Sequence, residues 1–153
     1  KPKAGLKKKT SQEDNGKRVQ KLLLTWITDY PEVLPKITRF ITPSDFTEEL
    51  YRKVADKLFA DIENGRYNPA SIISMFEDEN EQREAAELFN TKVEAITTSQ
   101  EKERAFHDIV YAVKKNSYEF YSGKLGSDVT ALNQVIAGKK ALEELAKTHI
   151  SLN

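Results

Sequence analysis

The first sustained hydrophobic signal begins at Val19, where Val19, Leu22, Leu23, Trp26, Ile27 and Tyr30 recur at helical spacing. Such spacing makes one stripe of an amphipathic helix. Pro31 ends it, because the residue before a proline avoids the helical region, and the same proline can open the next helix. Val33, Leu34, Ile37, Phe40 and Ile41 predict a short second helix, although Ile37 to Thr42, with Thr38 and Thr42, also reads as a strand. Beyond Pro43, Thr47 is a good N-cap, and Glu48 and Glu49 place negative charge at the positive end of a helix dipole. Leu50, Val54, Leu58 and Ile62 then recur every four residues, with Tyr51, Ala55 and Phe59 widening the stripe. Gly65 sits where helices commonly end in a left-handed residue.

Asn68-Pro69 restarts a helix by a cap followed by an N-terminal proline, with Ile72, Ile73 and Phe76 inward. Glu77, Asp78, Glu79 and Glu81 predict an acidic turn before a fifth short helix carrying Ala85, Ala86, Leu88 and Phe89. Thr98 and Glu101 form a capping box for a longer helix with Phe106, Ile109, Val110 and Val113 on one face. The pattern loosens over Lys114-Lys115-Asn116-Ser117, so a separate short segment with Tyr118, Phe120, Tyr121 and Leu125 is expected. Gly126-Ser127-Asp128 breaks that segment and caps a last helix to about Lys147, with Leu132, Val135, Ile136, Leu142 and Leu145. The class is all-α. Residues 17–115 are expected to close a core by themselves as a bundle of about six helices, and residues 116–153 to form a C-terminal helical hairpin. A lone helix pair buries too little to be stable in water, so the hairpin must pack on the bundle or await a partner.

Composition narrows the function. Apolar residues make up 39% and charged residues 31% of the 153, against roughly 45–50% and ~25% in ordinary globular chains, so much helical surface must face water. Zero cysteines exclude disulfides, iron–sulfur clusters and thiolate zinc sites, and His107 and His149 are too few for His-rich metal chemistry. No apolar run reaches the ~18 residues of a membrane span, and no signal-peptide pattern opens the chain. A soluble, reduced, cytosolic setting is the expectation, and a chain opening on Lys1 rather than Met reads as part of a longer protein.

The formal net charge of zero hides a polarity, because the first 21 residues are strongly basic and the remainder acidic. Pro2, Gly5, Ser11, Asn15 and Gly16, with Leu6 almost alone as an apolar residue, predict that residues 1–16 are a basic flexible linker. No aromatic is interleaved there to stack on bases, so nucleic acid is bound at most weakly.

Catalytic constellations are missing from the pattern. The six glycines are scattered singly, with no phosphate loop. His107 lies mid-helix beside Phe106 and Ile109, and His149 near a helix C-terminus, where a cation is favoured; both read as structural. The acidic cluster lacks the spacing and glycine of a calcium loop. No metal, cofactor or enzymatic activity is expected. The hairpin differs, because Tyr118, Phe120, Tyr121 and Leu125 on one side, with Leu132, Ile136, Leu142 and Leu145 on the other, exceed what two facing helices need. Surplus apolar positions mark these eight as candidate partner-binding residues.

The run TPSDFTEELYRKVADKLF (Thr42–Phe59), followed by NPASIISMFEDENEQREAAELFN (Asn68–Asn90), resembles the C-terminal region of DnaG-type bacterial primases, most closely the low-GC Gram-positive variety. VKKNSYEF (Val113–Phe120) and LAKTHISL (Leu145–Leu152) are similar to the same family's hairpin and end, so the resemblance spans residues 17–152. It implies a helical bundle followed by a hairpin that docks on the N-terminal domains of the hexameric DnaB-type replicative helicase. Primase is thereby recruited to the replication fork in the cytoplasmic replisome, and helicase and priming activities are modulated. The catalytic primase domain would lie upstream, joined through the N-terminal linker, so this region should make no primer. The rival readings are the N-terminal domain of a DnaB-type helicase, which shares the bundle, and a generic helical adaptor. A chain closing on Ile150-Ser151-Leu152-Asn153, without a linker to an ATPase domain, is expected of the primase.

Overall fold

A computed structural model describes the backbone of residues 3–91 and 98–152, with side chains from Asn15 onward in the first helix. The expected linker residues Lys1 and Pro2, and the chain end at Asn153, lie outside the described residues. Six α-helices and two short 3-10 helices follow one another, and no strand occurs among the described residues, so the molecule is all-α. The first helix, α1 (Lys3–Asp29), begins well before Val19 and carries helical backbone through the segment expected to be a flexible linker. No proline interrupts it after Pro2, and its lysines, Gln12 and Glu13 are good helix formers.

From Leu23 to Ile27 every residue of α1, including Thr25, is buried, while Leu22 and Tyr30 of the expected stripe are exposed. The stripe is wider than a surface helix needs because α1 is central, packing on α2 (Glu49–Glu63), α4 (Glu79–Asn90) and α5 (Ser99–Ser122). Trp26 meets Phe106 of α5 with ring centroids 5.1 Å apart.

Pro31 opens a 3-10 helix, Pro31–Lys36, rather than an α-helix. Pro35 inside it lacks the N–H that an α-turn would require. Ile37 to Ile41 continue as turns, with Phe40 and Ile41 N–H both donating to the Ile37 carbonyl, so the strand alternative is not realised. A second 3-10 turn, Pro43–Asp45, leads into α2. The N-cap of α2 is Glu48, not Thr47. The Thr47 hydroxyl instead accepts from Gln20 Nε2 at 3.0 Å and from Asn116 Nδ2 at 3.2 Å.

The remaining caps form where local chemistry places them. Gly65 has φ 68°, the left-handed geometry that ends α2. Asn68 accepts the Ala70 N–H to cap α3 (Pro69–Ile73), and Thr98 accepts the Glu101 N–H to cap α5. The acidic run is a helix start rather than a mere turn: Asp78 caps α4 by accepting the Glu81 N–H, with Glu79 and Glu81 in its first turn.

α5 is the main departure from expectation. It runs unbroken for 24 residues through Lys114–Ser117, where a break was expected, and the division at 115/116 falls inside it. Lys114 and Ser117 are buried, which disrupts the apolar pattern without disrupting the helix. The continuous apolar core nevertheless does stop on α5 at Val113. It is completed by Ala141 and Leu145 of α6 (Val129–Lys147) and by Ile150 beyond it. Residues 17–115 therefore do not close the core unaided.

Candidate docking surface

α6 returns antiparallel to α5 and, among the described helices, packs on α5 alone. Asp128 caps it by accepting the Thr130 N–H at 2.9 Å. Gly138 lets the two helices approach closely, since a Cβ there would lie 3.2 Å from Tyr118 Cδ1 and 3.4 Å from its Cβ. The inner face of α6 presents Ala131, Val135, Gly138, Leu142 and Leu145, from half-buried to fully buried.

A second stripe runs along the opposite side. Val129, Leu132 and Ile136, at i, i+3 and i+7, are 88%, 53% and 60% exposed. Residues at that spacing share one helix face. Lys139 and Lys140, also exposed, follow one turn on. Leu125, in the connection between the helices, is exposed as well.

The eight candidates thus divide. Leu125, Leu132 and Ile136 face solvent. Phe120 is exposed too, but on another flank of α5, beside Asn15, Gly16 and Val19 of α1. Lys124 covers it at 4.5 Å from the ring centroid, and Tyr121 meets it edge-on at 5.2 Å. Tyr118 packs inside the hairpin against Gly138. Tyr121 is half-buried and donates its hydroxyl to the Ser44 carbonyl at 2.7 Å. Burial, and then the Asp45 carboxylate, push its phenol above the usual range. Leu142 is half-buried and Leu145 wholly buried. Val129 belongs to the exposed face and is not among the candidates read from the sequence. The available signal was that α6 carries two apolar stripes where a helix on one neighbour needs one.

The far end of the hairpin is fastened to the bundle. Residues Thr148–Leu152 leave α6 as a strap with Ile150 in the core. Glu103 of α5 pairs with His149 Nε2 at 2.9 Å and accepts the Leu152 N–H at 2.8 Å. Lys36 donates to the Ser151 carbonyl at 2.7 Å. His107, 2.6 Å from the Leu145 carbonyl through Nε2, caps the end of α6 in the tautomer that carries its proton there. Both histidines are therefore held in structural contacts.

The Leu152 N–H first, and His149 in addition, hold the Glu103 carboxyl below its ordinary value against the opposing effect of burial. A carboxylate with a lowered native pKa adds stability that is complete above the unfolded value and is lost as pH falls through the native one. Glu103→Gln should therefore lower the melting temperature at neutral pH, and the gap from wild type should close as the pH drops below about 4. Thermal melts across that range check it; a gap independent of pH would mean that the pairing adds nothing.

No group of acidic or histidine side chains among the described residues is arranged to hold a metal ion, and no described helix is long and apolar enough to cross a membrane. Compared with known proteins, the chain matches no family model, no curated protein and no solved structure.

Proposed function

We propose that this chain is the helicase-interaction domain of a DnaG-type primase, without catalytic activity of its own. It binds the N-terminal domains of the hexameric DnaB-type replicative helicase, brings primase to the fork in the cytoplasmic replisome and modulates both activities. Its N-terminal helix leads toward the upstream catalytic domain. The observation that carries the reading is the outward stripe Val129–Leu132–Ile136 on a helix already packed on its other side. Three aliphatic side chains in register on one exposed face are what a partner helix would cover. The runs that resemble the primase family support it, because they form the α2, α3 and α4 part of the bundle that carries this hairpin.

Mixing the purified chain with a DnaB-type hexamer from the same source, at micromolar concentrations, should give co-elution on size exclusion. Separate elution of the two at low and moderate salt would overturn the reading.

A further inference from the structure

The corner between Thr42 and Thr47 gathers polar contacts that the fold of a simple bundle does not require. Asp45 is 1% exposed. Its carboxylate accepts the Thr42 N–H at 2.8 Å, Lys114 Nζ at 3.0 Å on both oxygens, and the Ser117 hydroxyl at 2.7 Å. On one side, the Ser44 carbonyl accepts the Tyr121 hydroxyl; on the other, the Thr47 hydroxyl accepts Asn116 Nδ2 and Gln20 Nε2. Lys114, Asn116, Ser117 and Tyr121 thus all reach one corner, over two turns of α5.

These contacts begin where the apolar core stops, since Val113 is the last α5 residue in it. Apolar packing is non-directional, whereas charge-assisted hydrogen bonds fix distance and angle. Beyond Val113, α5 meets α1 near Gly16 and Asn116, and its charge-assisted, directional contacts to the bundle are those of this network. Among the described helices α6 packs on α5 alone, so its outer half follows.

We infer that the Thr42–Thr47 corner is a lock: it fixes how the outer half of α5 and the outer half of α6 are set on the bundle, and its release lets that half move while its helices stay formed. Its consequence, a change in how the α6 stripe is presented, rests on the proposed docking role. The lock itself does not.

The test uses the whole chain without helicase, so its failure and the failure of the docking proposal are distinguishable. Asp45→Asn combined with Lys114→Met removes the charge pair but keeps one carbonyl oxygen to accept the Thr42 N–H and an amide N–H that the Ser117 hydroxyl can accept in turn. Amide hydrogen exchange should quicken at least tenfold across residues 117–138, while exchange in Val54–Phe59 of α2 stays at the wild-type rate. Unchanged exchange everywhere would overturn the lock, as would equal acceleration in α2 and the hairpin, which would mean general destabilisation. Should the double variant fail to fold, Tyr121→Phe, which loses only the hydroxyl bond to Ser44, carries the same test. Selective quickening over 121–138 supports the lock, and uniform or absent change refutes it.

Discussion

A chain ending at Lys115 should fail to melt cooperatively. The truncation removes Ala141, Leu145 and Ile150 from the core and strips the strap from Glu103 and Lys36. Emptying a buried Leu or Ile site costs about 2–5 kcal/mol each, and a domain of this size is stable by only about 5–15 kcal/mol in total. Losing Leu145 and Ile150 together therefore approaches the whole margin. Circular dichroism during heating is the check. A sharp transition in residues 1–115, close to that of the full chain, would show that the C-terminal helix and strap are dispensable to the core.

Asp45→Ala should be among the most damaging single changes in the molecule. It leaves the Lys114 ammonium, whose side chain is 6% exposed, without its counter-charge, and removes the acceptor of Thr42 and Ser117. Breaking a buried ion pair from one side typically costs about 3–5 kcal/mol, because the remaining charge stays buried and uncompensated. By the same reasoning, pairing Asp45→Ala with Lys114→Met should recover a large part of the loss. Urea denaturation of both variants tests this, and a single variant within about 0.5 kcal/mol of wild type would mean that the pair is solvated rather than buried.

Local signals carried most of the fold. The caps at Asn68 and Thr98 and the left-handed Gly65 are each set by chemistry within a few residues, and all form as the sequence predicts. What sequence periodicity could not show was the unbroken course of α5. Lys114 and Ser117 look like surface residues until Asp45, 69 and 72 positions away along the chain, is brought against them. Thr47 was misread as a cap for the same reason, since its hydroxyl is occupied by distant Gln20 and Asn116. The docking surface was half legible. Surplus apolar residues on the hairpin were visible, but their direction was not. Tyr121 and Leu145 turn inward because Ser44 and the core lie on that side, whereas Leu132 and Ile136 share an exposed face of α6.

The exposed stripe on α6 is the centre of the functional proposal, and one affinity measurement addresses it directly. Titration of the DnaB-type hexamer with wild-type chain and with Ile136→Ala should show binding at least about twentyfold weaker in the variant, the effect of one aliphatic anchor of about 2 kcal/mol. The melting temperature should stay at the wild-type value, because Ile136 is 60% exposed. Phe59→Ala is the control in the bundle: Phe59 is buried edge-on to Phe46, so that variant should lose about 3–5 kcal/mol of stability. Undiminished affinity for Ile136→Ala, and likewise for a Val129→Ser/Leu132→Ser/Ile136→Ser variant that still melts like wild type, would place the helicase contact elsewhere on the molecule.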